Sequence, residues 1–297
     1  MGSFQLLEDG QIPSGFVVSN FKGDQVYQLV ENEMSTFSGL LPIAETPKEQ
    51  YLDAAQAIVQ HLKNEGGKAV LSRLKKVEAP EDIKGYFFAL CDAYPDAFVY
   101  TLIGAKIGKW IGATPETLLT VEQGTGKTMA LAGTRKLNSL VPWEEKEFEE
   151  HELVADFIDA NLNDFNLSNL VRSERFEATS GPVKHLRTDF QFDLDKNQAW
   201  ELAKRLHPTP AVSGWPVDRA LEIIAENEIH DRSIYTGIIG VVEESTRLFV
   251  NLRCAQFAKK NMYLYLGGGF TKDSDPEAEW EETENKAATL INVLKNG

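Results

Sequence analysis

The chain has 297 residues, and its 42% hydrophobic and 25% charged content is that of an ordinary globular protein. Its formal net charge of −15 counts against nucleic acid or an anionic membrane as a partner, while leaving room for a local basic cluster that holds a small anion. No apolar run approaches the roughly 20 residues of a membrane helix, and MGSFQLLEDG lacks the basic-then-apolar order of a secretory leader. The two cysteines, Cys91 and Cys254, form no CxxC pair. They are expected as buried thiols in a reducing, cytoplasmic setting.

In chain order, residues 16–29 look irregular or strand-like. Residues 48–64 form a helix, because Tyr51, Ala55, Ile58, Val59 and Leu62 recur at helical spacing, and Gly66-Gly67 ends it. Residues 68–76 read as a strand and 81–93 as a helix. Two strands, 97–103 and 106–111, flank a turn at Gly104. Two more, 117–121 and 128–132, are joined by residues 123–126. A long helix covers 143–162, and shorter ones cover 197–206 and 216–227. Residues 235–243, 247–257 and 262–267 read as an antiparallel meander, since their connections are too short for crossovers. Residues 277–295 form the last helix. Short strand-to-strand links with helices between groups of strands predict an α+β protein with antiparallel sheets. No composition break divides residues 1–297, so a single domain is expected.

Several segments bear groups that could do chemistry. On the last helix Glu279, Glu282 and Lys286 lie at i, i+3 and i+7 on one face. Adjacent carboxylates repel unless a cation or proton intervenes, so this face suits Mg²⁺ or is a solvated acidic helix start. Glu150 heads an apolar stripe with Val154 and Phe157, which would aim a carboxylate inward, where it needs a partner. The alternative is again a solvated face. Gly267, Gly268 and Gly269 follow the strand-like YLYL, either to let backbone N–H groups approach an anion or as a plain turn. Gly124-Thr125-Gly126-Lys127-Thr128 resembles the tail of a phosphate loop. Val121 stands where its first glycine belongs and a strand follows, so a hairpin turn is expected. Residues 207–216, HPTPAVSGWP, form a loop stiffened by proline between two helices, and rigid loops often carry sites.

IGATPETLL, ALAGTRK, EHELVADFI, VKHLRT, LHPTPAVSGWP, DRSIYTGIIG, NLRCAQ, YLGGGFTKDSDPEAEWEET and NKA occur in this order. Together they resemble the chorismate-utilising enzymes, which include the isochorismate, salicylate, anthranilate and aminodeoxychorismate synthases. The likeness runs from about Lys68 to the end. It implies two large antiparallel sheets packed as a sandwich with helices outside, and a shortened N-terminal part, because the region before Lys68 is brief for the family. A lysine at position 68 and ALAGT in place of a PIxGT-type block match the members that add water, with KAVLSR and HPTPAVSGWP most like isochorismate synthase. Salicylate synthases share the lysine. An ammonia-using component I fits less well.

The resemblance implies an isomerase that adds water at ring carbon C2 of chorismate and expels the C4 hydroxyl. Lys68 would be the general base and Glu116 the general acid. Both need shifted pKa values, which a desolvated site supplies in the required directions. Glu150 and Glu279 would hold Mg²⁺, with Glu282 ligating directly or through water. Arg253 and Tyr235 would clamp the enolpyruvyl carboxylate. Thr134, His185, Lys286 and the backbone at Gly267, Gly268 and Gly269 would support the substrate. Ala211 and Val212 would line the pocket near the attacking water, and Gly214 would allow close backbone approach. The product would serve menaquinone, siderophore or salicylate synthesis. The protein is expected to act as a monomer with chorismate as its partner.

Overall fold

The computed structural model describes residues 2–31, 43–180 and 183–296, without the side chains of residues 31, 134, 136, 180, 295 and 296. The strands begin with β1 (Gly2–Leu6), β2 (Gly15–Ser19), β3 (Val26–Glu31), β4 (Lys68–Glu78), β5 (Phe98–Gly104), β6 (Gly108–Thr114), β7 (Thr117–Glu122) and β8 (Thr125–Lys136). They continue with β9 (Ser168–Arg172), β10 (Phe176–Ser180), β11 (Val183–Asp193), β12 (Gly214–Trp215), β13 (Ile238–Val242), β14 (Thr246–Val250), β15 (Cys254–Ala258) and β16 (Asn261–Phe270). The helices are α1 (Lys48–Glu65), α2 (Ile83–Ala93), α3 (Glu145–Asp164), α4 (Ala199–Leu206), α5 (Val217–Asn227) and α6 (Pro276–Asn296).

All strand pairs are antiparallel, in two sheets. The larger runs β1-β3-β2-β13-β14-β7-β8-β11-β10, with β9 also on β11, and the smaller runs β12-β4-β16-β15-β6-β5. Between them lies an apolar layer to which both sheets contribute, including Val18 and Ile239 from the larger and Leu74, Trp110, Cys254 and Tyr265 from the smaller. Helices α3 and α4 pack on the larger sheet through Val154, Ile158, Leu202 and Leu206. Helices α2 and α6, and α1 and α5, cover the smaller one. This is the expected sandwich with helices outside. Its N-terminal strands form one edge of the larger sheet.

The helical stripes behave as their spacing predicts. Tyr51, Ala55, Ile58, Val59 and Leu62 are the buried residues of α1, and Gly66 (φ +75°) closes it by donating to the Leu62 carbonyl. In α3 the Glu147 carboxylate accepts from the Glu144 N–H and pairs with Arg135, a capping box locked to a neighbouring strand. Gln123 (φ +50°) and Gly124 (φ +79°) form the two-residue turn between β7 and β8, as a hairpin requires and a phosphate loop does not.

Five sequence readings are corrected. Residues 247–257 are not one strand. They split into β14 and β15, which belong to different sheets, so the supposed meander is two hairpins in two layers. Tyr235 lies in the turn before β13, not in a strand, and Gly267, Gly268 and Gly269 lie inside β16 rather than after it. Cys254 is buried, but Cys91 is only partly so. The stretch between α3 and α4, read as no element, holds three strands.

The split strand has a counterpart. Strands β6 and β7 are likewise one run, broken at Pro115, with β6 in the smaller sheet and β7 in the larger. Because β6 pairs with β15 and β7 with β14, residues 108–122 and 246–258 form a single two-stranded ribbon that bends from one sheet into the other. At the bend the Val250 N–H donates to the Glu116 carbonyl, and the Ala113 N–H donates to the Arg253 carbonyl.

Candidate active site

A cavity of about 330 Å³ opens beside this bend. Residues from both layers line it. Lys68 comes from β4, Gly267 and Gly269 from β16, Glu116 and Arg253 from the bend, and His185 from β11. Ala211 and Val212 come from the loop before β12, and Tyr235 from the turn before β13. Glu150 of α3 and Glu279, Glu282 and Lys286 of α6 close it from the helical side.

Lys68 is 3% exposed, and its ammonium donates to Glu150 Oε1. Two glycines make room for it. A Cβ at Gly269 would stand 3.1 Å from Lys68 Cε and 3.3 Å from Glu150 Oε1. At Gly214 (φ +125°) a Cβ would stand 2.1 Å from the Lys68 carbonyl oxygen, so only glycine lets β12 pair with β4 there. Burial opposes ionisation of Glu150, but the charge and hydrogen bond of Lys68 prevail and lower its pKa.

Glu116 is 6% exposed, and burial pushes its carboxyl up to about 7 despite the nearby charges of Arg253 and Lys68. Arg253 adopts φ +46°, a left-handed turn that lets the chain change sheets, and burial lowers its pKa. Among the described residues its guanidinium makes no hydrogen bond or ion pair, which leaves it disposed toward an anion. His185 is brought to about 4 mainly by burial, so the ring is neutral; its Nδ1–H donates to the Gly133 carbonyl at 2.7 Å.

The carboxylates of α6 differ. Glu282 pairs with Lys286 at 2.6 Å, and that charge chiefly lowers its pKa. The Lys286 ammonium also donates to the Gly267 carbonyl at 2.9 Å. Burial, then repulsion by Glu282, raises Glu279 to about 7, and among the described residues its buried Oε2 has no hydrogen-bond partner. No group of three or more His, Cys, Asp or Glu side chains disposed around a single point occurs among the described residues. The donors nonetheless suit a hard cation. They are carboxylates from two facing helices, with one orphaned buried oxygen and mutual repulsion that a divalent charge would relieve.

Thirteen of the sixteen residues singled out in the sequence therefore line one cavity. Gly268 does not; a Cβ there would meet Glu279 Oε2 at 3.2 Å and the Tyr51 hydroxyl at 3.3 Å. Gly214 acts behind the wall, on Lys68. The Thr134 side chain lies outside the described residues. Sequence reading missed Val70, Arg135, Lys146 and Glu147, which also line the cavity. Val70 shares a strand face with Lys68 and was accessible to a period-two argument. Lys146 was hidden in an acidic run that reads as solvated.

The family model described as chorismate binding enzyme matches residues 20–295, and the chain belongs to that family. It is 32% identical over 242 residues to isochorismate synthase EntC of Escherichia coli (strain K12), covering 76% of this chain and 62% of that one. It is 31% identical over 220 residues to anthranilate synthase component 1 of Aquifex aeolicus, covering 68% and 44%. Among solved structures, DhbC from Bacillus anthracis superposes with a TM-score of 0.80 at 26% identity, covering 96% of this chain and 85% of that one. The chain thus spans less than two thirds of the length of either curated relative. Among the described residues no helix is long and apolar enough to cross a membrane.

Proposed function

We propose that the protein is a Mg²⁺-dependent isochorismate synthase. The observation that carries this reading is the joint presence at one cavity of a buried lysine and a buried carboxyl near pH 7. Water addition and hydroxide loss need that pair. In the proposed step Lys68 takes a proton from water whose oxygen bonds to C2. The ring double bonds shift, the C4–O bond breaks, and Glu116 delivers its proton to the departing oxygen. One water enters and one leaves, so the reaction is an isomerisation. Each such group contributes about 10² to 10⁴ in rate.

Glu150, Glu279 and Glu282 would hold Mg²⁺, which offsets the charge of the ring carboxylate and orients the substrate. Arg253 offers a bidentate fit to the enolpyruvyl carboxylate, beside Tyr235. Neutral His185 lines the same cavity. Lys286 and the Gly267 backbone bound the same end, and Ala211 and Val212 make an apolar wall that limits which waters reach C2.

Incubation with chorismate and Mg²⁺ tests the reading. Isochorismate as the sole product supports it. Salicylate and pyruvate without an added lyase would replace it with salicylate synthase, and ammonium-dependent anthranilate would replace it with component I chemistry.

A further inference from the structure

Strand β12 pairs with only the first two residues of β4, at Lys68 and Ala69, and the Val70 N–H then donates to the Ser213 carbonyl. Past that point, among the described residues, this edge of β4 has no strand beside it. Two side chains take its place. Arg232 Nη2 donates to the Val70 carbonyl at 2.6 Å, and the Ser72 N–H donates to Glu228 Oε1 at 2.6 Å. Val70 and Ser72 are the alternate residues whose backbone groups a neighbouring strand would engage. A carboxylate thus accepts and a guanidinium donates where a strand would.

The same guanidinium reaches the cavity's other wall. Arg232 Nη1 donates to the Val212 carbonyl at 2.9 Å, and Nε donates to Glu228 Oε2 at 2.8 Å. The guanidinium stacks 4.1 Å over the Phe21 ring, and the Arg232 carbonyl accepts from the Tyr235 N–H at 2.8 Å. The side chains of Arg232 and Glu228 are 2% and 4% exposed. Their bonds therefore join the strand that carries Lys68, the loop that carries Ala211 and Val212, and the turn that carries Tyr235.

We propose that Glu228 and Arg232 are positioning residues for the reaction, a side-chain strut that fixes the distance between Lys68 and the wall at Ala211 and Val212. Neither touches the cavity, so neither is catalytic. The inference rests on the isochorismate synthase reading. A buried ion pair adds little net stability over apolar residues of similar size, so stability alone gives weak reason to place one here. Displacing a reacting group by about 1 Å can cost about 10²-fold in rate.

Two variants of the full chain test it. Arg232→Lys keeps the charge pair but cannot span both carbonyls. Glu228→Leu/Arg232→Met removes both charges at once, so neither partner is left buried and unpaired. Each is assayed for chorismate turnover well below its melting temperature, with amide exchange at Ser72 followed in the double variant. The strut predicts kcat down about 10- to 100-fold in both, KM within about threefold of the parent, and Ser72 exchange at least about tenfold faster. Folded variants with parental kcat, or Ser72 protection unchanged in the double variant, overturn it. An unaltered chain that makes no isochorismate sinks the reaction instead, and Ser72 exchange still decides the strut.

Discussion

Glu116 and Glu279 both reach about 7, but by different routes, and the difference assigns them different work. Glu116 lies near Arg253 and Lys68, which favour its anion, yet desolvation prevails. An anionic substrate that engages Arg253 weakens one of those opposing charges and holds the proton more firmly. The acid must be protonated to act, so kcat/KM should fall about tenfold per unit above about pH 7. In kcat the limb should lie higher. Glu116→Gln should lose about 10²- to 10⁴-fold in rate and that limb together, as a pH–rate profile at saturating Mg²⁺ would record. Glu279 is raised by burial and by other carboxylates, the signature of a site short of positive charge. Glu279→Gln should shift the midpoint of a Mg²⁺ activation curve upward by about 10- to 100-fold, and an unshifted curve would remove it from the ligand set. Lys68→Ala should lose about 10²- to 10⁴-fold in kcat while calorimetry still detects chorismate binding. The proposed roles come from the ordered blocks of sequence and the resemblance they carry. The apolar stripe of α3 left both an inward and a solvated Glu150 open, and Glu150 in fact lines the cavity; nothing local paired it with Lys68, which lies 82 positions away.

Elements differ in how openly the sequence announces them. The helices are legible because each buries one stripe, as α1 and α3 do. Strand β9 is mostly exposed and lacks the alternation of a half-buried strand, so its place is set by pairing with β11 rather than by its own residues. The run 246–258 is continuous in β-propensity, and its division depends on a left-handed Arg253 that no local rule foretells. Gly214 is a case where local chemistry and tertiary contact coincide. A glycine in a proline-stiffened loop suggests a backbone constraint, and the constraint is the Lys68 carbonyl. Gly214→Ala should destabilise the protein by about 1–3 kcal/mol in chemical denaturation, through positive φ alone, with more from the clash. Activity of the folded fraction should fall too, because the displaced atoms belong to Lys68.

The whole molecule carries a formal charge of −15, yet its cavity is lined by Lys68, Arg135, Lys146, Arg253 and Lys286 among the acidic groups. Short-range attraction holds an anionic substrate once it is inside, while the long-range field opposes its approach. Raising ionic strength from about 10 to 150 mM shortens the Debye length from about 30 to 8 Å and screens mainly the second effect. At saturating Mg²⁺, kcat/KM for chorismate should therefore rise by about twofold over that range, and a steady fall would show that the local cations govern encounter. The α+β class with antiparallel sheets was legible from short links, while the sandwich came only from the family resemblance. Its seam was not legible, since one ribbon serves both layers and composition is blind to that. The bend in that ribbon is that seam. Glu116 and Arg253 sit on it, held by backbone that both sheets share, whereas Lys68 hangs from β4 of the smaller sheet alone. The residues proposed as acid and carboxylate clamp are thus fixed by the joint between the layers, and the proposed base by one layer.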